Sequence, residues 1–164
     1  MRDAVWNAPC DAIFILVNTE AYGGGGMYNF YAMGTADNPR TPVVFVHEFG
    51  HSFAGLADEY FSSEVAYQDF YNLKYEPWEP NITTLVNFDA KWKDLLPANT
   101  PVPTPLDDAH KDKAGVFEGG GYIAKGIYRP MDHCMMRDYA PFCPACSRAI
   151  LQMIDYFTDK PIKH

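Results

Sequence analysis

The sequence predicts an α+β fold, with a small sheet and one helix followed by a loop-rich C-terminal part that closes with a second helix. Three observations predict this order: an apolar β-branched run at residues 12–17, helical spacing of apolar residues after Thr41, and an amphipathic pattern over residues 144–157. The 164 residues, 48% of them hydrophobic, suffice for one buried core. We therefore expect a single domain over residues 1–164, with an N-terminal part (1–55) and a C-terminal part (56–164).

The predicted sheet begins with Ala12-Ile-Phe-Ile-Leu-Val17, a run without polar residues. Such a run is typical of a strand that is buried on both faces, so we expect it at the centre of the sheet. Residues 28–33 are rich in aromatic side chains and predict a second strand. The four glycines at 23–26 predict an irregular, flexible connection between the two strands, and close approach of this backbone to a ligand is the alternative.

The first predicted helix starts at Thr41-Pro42, because Thr can cap exposed amides and Pro in the first turn loses no needed donor. It continues to Ala54 and ends near Gly55, since glycine readily takes the left-handed conformation of a helix end. Apolar residues keep helical spacing along this segment: Phe45, Val46, Phe49, Phe53 and Leu56.

The C-terminal part is rich in proline and aromatic residues between positions 64 and 105, which predicts long ordered loops with one short helix near 88–95. Within it, Asn81-Ile-Thr83 matches an N-glycosylation sequon. A last helix is predicted over 144–157, with Pro144 in its first turn. Its apolar stripe consists of Cys146, Ile150, Met153, Ile154 and Phe157.

The charge balance argues against some classes of partner. Thirteen Lys and Arg stand against 21 Asp and Glu, for a net charge of −8. No basic face is visible, so we expect neither nucleic acid nor an anionic membrane as a partner. The apolar run at 12–17 is far shorter than the ~20 residues of a membrane-spanning helix.

One motif in the first helix carries chemistry: His47-Glu48-Phe49-Gly50-His51. Residues four apart lie one turn above each other, so both imidazoles reach one point in space, where a zinc ion fits. Glu48 is placed to accept a proton from the attacking water and pass it to the leaving amine, as a general base. The alternative, ordinary polar groups on a partly buried helix, is costly because the helix is otherwise strongly apolar.

A catalytic zinc needs a third protein ligand. In the pattern H-E-x-x-H-x-x-G-x-x-H, a glycine turns the chain and the third ligand follows three residues later. Gly55 and Asp58 keep that last spacing, although the glycine comes one residue later than the pattern requires. We expect Asp58 as the third ligand, with Glu59 as the alternative.

Three of the four cysteines, Cys134, Cys143 and Cys146, lie close together in the sequence. A local disulfide of Cys134 with Cys143 or Cys146 explains this grouping, and a structural zinc bound by the three cysteines and His133 is an alternative. Cys143-Pro-Ala-Cys146 also has the spacing of a redox motif, but the βαβ context of thioredoxin-like proteins is missing.

The segment from His47 to Tyr60 resembles the active-site helix and turn of the bacterial IgA-peptidase family of zinc metallopeptidases. The resemblance extends over about residues 12–157 and includes five further segments, at 76–86, 118–122, 128–130, 134–137 and 142–146. It implies a metzincin-like fold with a Met-turn beneath the metal, for which Met136 is the candidate and Met135 the alternative. It also implies that the strand at 28–33 is the sheet edge that pairs with an extended substrate.

The resemblance implies a zinc endopeptidase that acts on a protein or glycoprotein outside a bacterial cell or at its surface, and we expect the chain to be a monomer. The alternative is a zinc-binding, non-hydrolytic adhesion or glycoprotein-binding module, which would leave Glu48 unexplained. Residues 1–9 lack the pattern of a signal peptide. A metzincin builds a strand, a helix and a further strand before the two strands found here, and only eleven residues precede Ala12, so we expect a fragment or a reduced domain.

Overall fold

The computed structural model describes Asn7 and residues 10–61 and 70–159. It confirms the α+β fold, with two small sheets and three helices in the described part of the chain. The chain divides into two compact units, Met1–Gly55 and Leu56–His164, at the residue where the sequence placed the boundary between its N-terminal and C-terminal parts. None of the described helices is long and apolar enough to cross a membrane.

The first unit has a three-stranded sheet and one helix. Strands β1 (Phe14–Val17), β2 (Gly24–Met27) and β3 (Tyr31–Thr35) precede helix α1 (Thr41–Ala54). The strand order is β1-β3-β2, with β1 parallel and β2 antiparallel to β3. The central strand is therefore β3, in which Ala32 is completely buried.

The expectation that the apolar run forms the central strand is wrong. Strand β1 pairs with β3 on one side only among the described strands, and Phe14 and Leu16 are 50% and 60% exposed. An apolar run indicates a strand, but the number of its neighbours depends on pairing with distant residues. The Phe14 ring packs instead against the rings of Phe45 and Phe49 on α1, at centroid distances of 5.4 and 5.6 Å.

The glycine run is also different from its prediction. Gly24, Gly25 and Gly26 form most of β2 rather than an irregular loop, and a tight turn leads into β3. The second predicted strand starts at Tyr31, and residues 28–30 are this turn. Because β3 has a partner on each side, β1 and β2 are the edge strands of this sheet, and the expected substrate-pairing edge at 28–33 is not an edge.

Helix α1 has the predicted bounds. Pro42 lies in its first turn, and Gly55 at its end has φ 63°, with its N–H donating to the carbonyls of Gly50 and His51. The start differs in one detail: Arg40 is the N-cap residue, and the Thr41 hydroxyl donates to the carbonyl of Thr35 at 2.6 Å. Thr41 thus joins the helix to β3 and does not cap it.

The second unit contains a hairpin and two helices. Strands β4 (Phe117–Gly120) and β5 (Ile123–Arg129) are antiparallel, and both residues of the turn between them have positive φ, 55° at Gly121 and 66° at Tyr122. Such a turn matches the twist of a hairpin.

Two helices follow the hairpin. Helix α2 covers Met135–Asp138. Helix α3 covers Pro144–Phe157, and these are the bounds predicted for the last helix. Two 3-10 turns, Phe88–Ala90 and Lys93–Leu95, lie where one short helix was predicted.

The loops before the hairpin are ordered around buried polar groups. The Trp92 indole N–H donates to the Gly115 carbonyl at 2.7 Å, and the Lys91 ammonium donates to the carbonyls of Pro77 and Glu79. Part of the predicted loop region, residues 62–69, lies outside the described residues.

The predicted apolar stripe of α3 is buried only near the start of the helix. Ile154 and Phe157 are exposed, and the buried residues of the helix are Ala145, Cys146 and Ala149.

Candidate active site

Helix α1 brings the two motif histidines together, because one helical turn separates them. The Nε2 atoms of His47 and His51 lie 3.2 Å apart, and the two rings are nearly perpendicular, at 86°. Two nitrogens that share a tetrahedral zinc at the usual Zn–N distance lie about 3.3 Å apart. The imidazole pair therefore has the spacing of two ligands of one metal ion.

Glu48 belongs to the same group. One of its carboxylate oxygens and one nitrogen of each imidazole all lie within 4.8 Å of one another. Both Glu48 and His47 are buried on the helix, whereas the expected apolar stripe is partly exposed, with Val46 at 41%. A buried carboxylate beside two imidazoles that face one point fits a divalent cation, which offsets the cost of burying it.

Two glycines of β2 let this strand lie directly on the motif face of α1. A Cβ on Gly24 would come within 2.6 Å of the Glu48 Oε1 atom, and a Cβ on Gly26 within 2.4 Å of the Glu48 carbonyl oxygen and 2.6 Å of the His51 Cβ. Real Cβ atoms do not approach other atoms so closely. The glycines are thus close to the site, and the neighbour that requires them is helix α1.

Asp58, the expected third ligand, is a buried residue of the second unit. The hydroxyl of Tyr122 donates a hydrogen bond to its Oδ2 atom, and the amide of Gly121 donates to its backbone carbonyl at 2.8 Å. Burial and the negative charge of Asp58 raise the pKa of Tyr122, which keeps the phenol protonated and able to donate. The sequence did not single out Tyr122 as a functional residue, although it belongs to the segment 118–122 that carries part of the family resemblance.

Glu59 has other neighbours. Its side chain is completely buried, and its Oε1 atom accepts a hydrogen bond from the Asn81 side chain at 2.9 Å and lies 3.2 Å from the Cys146 sulfur. Burial raises the pKa of Glu59 well above its ordinary value, and the nearby Cys134 sulfur raises it further. Its amide donates to the carbonyl of Met136 at 2.7 Å.

Asn81 was noted in the sequence only as part of a glycosylation sequon. In the structure it is completely buried, and its side chain bonds both the amide and the carbonyl of Ala57, at 2.7 and 2.9 Å. The Asn81 side chain also donates to the Glu59 carboxylate. Asn81 therefore holds both neighbours of Asp58 in the chain: the backbone of Ala57 and the side chain of Glu59. An asparagine in this position does not present its amide to a glycosylating enzyme. No local pattern in the sequence signals this role.

The candidate Met-turn residue, Met136, is completely buried in α2, whereas its alternative Met135 is partly exposed.

His133 does not join the cysteines, because its ring pairs with the carboxylate of Asp138. The cysteines are free, and the Cys134 and Cys146 sulfurs lie 3.7 Å apart, well beyond the ~2.05 Å of a disulfide bond. Hydrogen bonds from Cys143 and Cys146 to the Cys134 sulfur lower the pKa of that thiol.

A comparison with models of known protein families identifies the family of the chain. The model of the family described as IgA Peptidase M64 matches residues 1–114 and 106–154 of the chain. No curated protein matches the chain. The family match includes the two histidines and Glu48 of α1, Asp58, and the hairpin and cysteines of the second unit. The chain therefore belongs to the IgA Peptidase M64 family, which is a family of peptidases.

Proposed function

We propose that the chain is a zinc-dependent endopeptidase, with His47, His51 and Asp58 as the metal ligands and Glu48 as the general base. The observation that carries this proposal is the 3.2 Å separation of the two Nε2 atoms beside a buried glutamate. The match to a peptidase family supports hydrolysis of peptide bonds as the reaction. The motif is the one by which zinc peptidases bind their metal and activate water.

We propose zinc as the metal because two imidazoles and one carboxylate are the ligands of catalytic zinc in peptidases with this motif, and they leave a fourth position open for water or substrate. A metal ion at this site would act as a Lewis acid that polarises the scissile carbonyl and lowers the pKa of the attacking water. Glu48 accepts the proton of that water and later donates it to the leaving amine, since it lies beside both imidazoles without being needed as a ligand.

The surroundings of the two neighbouring carboxylates support Asp58 as the third ligand. Glu59 is held by Asn81 and lies against the Cys146 sulfur, so its carboxylate is engaged within the second unit. The Asp58 carboxylate accepts a hydrogen bond from Tyr122, and a ligand carboxylate is oriented by such a bond to one of its oxygens. The Gly55 turn at the end of α1 and the spacing from Gly55 to Asp58 agree with this assignment.

The sheet order supports β2 as the edge at which an extended peptide substrate binds. No other strand of the described residues pairs with its outer side, and its glycines lie against Glu48 and His51. A substrate strand added there would be held by main-chain hydrogen bonds close to the catalytic groups. This binding mode does not require a free chain end, so it fits an endopeptidase. We include a metzincin-like fold with Met136 in the Met-turn in the same proposal.

A peptide-library digestion tests the proposed function. The purified chain should cleave internal peptide bonds, lose the activity when a chelator is added, and regain it when zinc is restored. The His47→Ala variant serves as a control for a contaminating peptidase. Cleavage that survives chelation contradicts the proposal. Zinc bound at the α1 motif without any cleavage also contradicts it and favours the non-hydrolytic binding module.

A further inference from the structure

A second group of metal-ligating side chains lies within the second unit. It consists of one carboxylate and three sulfurs, from Glu59, Cys134, Cys143 and Cys146, all of them buried. One ligand atom from each lies within 4.8 Å of every other. The four residues come from three separate segments of the chain, so the fold and not the sequence spacing brings them together.

Two distances within the group are close to those of a tetrahedral zinc site. The Cys134 and Cys146 sulfurs are 3.7 Å apart, and two sulfurs on one tetrahedral zinc at ~2.3 Å lie about 3.75 Å apart. The Cys146 sulfur lies 3.2 Å from the Glu59 Oε1 atom, and the corresponding sulfur–oxygen separation in a zinc site is about 3.6 Å. The remaining pairs of ligand atoms lie within 4.8 Å of one another, so the four residues surround a space of the size that one zinc ion occupies.

Neither a disulfide, a redox pair nor apolar packing accounts for the whole group. A disulfide would use two of the sulfurs and leave the third thiol and the carboxylate buried. A redox role for Cys143 and Cys146 requires an accessible thiol, yet they are 2% and 0% exposed. Simple apolar packing of thiols does not explain a completely buried glutamate among them, because burying an acidic side chain is costly unless polar groups or a metal ion meet it.

The neighbouring hydrogen bonds fit thiolate ligands. The Cys143 amide donates to the Cys134 sulfur and the Cys146 amide to the Cys143 sulfur, each at 3.4 Å. Asn81 orients the glutamate through Oε1, while the buried Oε2 atom of Glu59 makes no hydrogen bond within the described residues. A buried carboxylate oxygen without a donor is costly unless a cation meets it.

We propose that Glu59, Cys134, Cys143 and Cys146 bind a structural Zn²⁺ ion in a closed, four-coordinate site. Sulfur-rich tetrahedral coordination favours zinc over Ca²⁺ or Mg²⁺, and the absence of an open position excludes a catalytic role for this ion. Binding releases the thiol protons to solvent and joins the segment after Gly55 to the start of α3. The site needs no peptidase activity, so it stands or fails separately from the proposed function.

The fourth ligand differs from the one that the sequence suggested. His133 is close to Cys134 in the chain, but its ring pairs with Asp138 and is partly exposed. Glu59 is 75 positions before Cys134, and no spacing rule links the two. It enters the group because its amide bonds the Met136 carbonyl and its side chain bonds Asn81.

Metal analysis of a His47→Ala/His51→Ala double variant tests the site without a contribution from the α1 motif. The full-length variant, purified with zinc under reducing conditions and then desalted, should keep about one zinc per chain. Replacing the zinc with Co²⁺ should produce a thiolate-to-cobalt charge-transfer absorption, which imidazole and carboxylate ligands do not give. Cys143→Ser should weaken this absorption by at least about a third, because one of three sulfur ligands is removed, and Cys10→Ser, a change at an exposed cysteine outside the group, should keep it.

Two results overturn the proposal. One is the absence of both zinc and the charge-transfer absorption in the folded double-histidine variant. The other is a disulfide among the three cysteines. To detect it, the chain is denatured with a chelator present and alkylated, and the alkyl groups are counted by mass spectrometry. Fewer than the four groups expected for four free cysteines would show the disulfide. Because both measurements use chains with all cysteines intact, they remain decisive even if Cys143→Ser does not fold.

Discussion

Asp58 and Glu59 are neighbours in the sequence, yet their side chains have different partners. Tyr122 donates to the first, while Asn81 and Cys146 contact the second. The spacing after Gly55 predicted that a carboxylate here binds metal but could not distinguish the two, because an extra residue in the turn rotates the chain. The partners that distinguish them come from the β4–β5 turn, the loops and α3, which are distant in sequence.

Asp58→Ala and Glu59→Ala compared side by side test this division. Asp58→Ala should weaken zinc binding by the α1 motif at least about tenfold and abolish peptide cleavage, because a catalytic site has only three protein ligands. It should keep the thiolate-to-cobalt absorption, which Glu59→Ala should alter. Competition with a chromogenic chelator measures the affinities. Normal zinc binding and cleavage by Asp58→Ala, with both lost in Glu59→Ala, would reverse the assignment.

Tyr122→Phe tests whether the phenol orients the ligand. Removing the hydroxyl leaves the Asp58 carboxylate without this donor. The zinc affinity of the site formed by Asp58 and the α1 motif should therefore fall roughly 10–100-fold, while the fold is retained. Tyr128→Phe, the same truncation elsewhere in the hairpin, is the control and should change the affinity little. Equal affinities in the two variants, measured by the same competition, would show that Tyr122 is not a positioning residue.

At the scale of elements, the contact between β2 and α1 brings the sheet edge to the helix that carries the candidate metal motif. The helix itself was predictable, since Thr41-Pro42, Gly55 and the apolar spacing are local signals. The strand was not, because glycine has a low preference for strands, and only the packing of β2 on Glu48 and His51 explains it. The same limitation applies to β1, whose apolar residues indicated a strand but not its edge position.

Gly26→Ala and Gly25→Ala are a matched pair for this contact. A Cβ on Gly26 would meet the Glu48 carbonyl oxygen at 2.4 Å, whereas a Cβ on Gly25 would meet only the Met33 side chain at 3.7 Å. Gly26→Ala should lower the free energy of unfolding by about 1–3 kcal/mol and reduce cleavage, and Gly25→Ala should do neither. Denaturant unfolding provides the comparison. Equal stabilities would mean that β2 does not pack on α1 this closely.

The end of α1 provides another test at this scale. Gly55 has φ 63°, which an alanine adopts only at a cost of about 1–2 kcal/mol, so Gly55→Ala should lower the free energy of unfolding by that amount. Gly55→Asn should cost less, since asparagine tolerates the left-handed conformation. Thermal or denaturant unfolding should rank the chains as wild type, Asn, Ala. A Gly55→Ala variant as stable as the wild type would contradict the left-handed turn.

At the scale of the molecule, local patterns predicted the α+β class, both long helices and the candidate metal motif. Strand order, the role of Asn81 and the fourth member of the cysteine group depend on contacts between residues far apart in the sequence, so periodicity and spacing carry no information on them. The family match covers both units and supports a peptidase. The metal, the residue roles and the expected extracellular location are predictions.

The turnover of the Glu48→Gln variant is the most direct test of the claim that Glu48 is the general base of a zinc peptidase. The amide is nearly isosteric with the carboxylate, so the variant should fold and keep zinc at the α1 motif, but it cannot accept a proton from water. Cleavage of a peptide that the wild-type chain hydrolyses should fall at least about 10²-fold at equal zinc content. Turnover close to that of the wild type, with the zinc at this motif confirmed by metal analysis, would contradict the role of Glu48 as the general base.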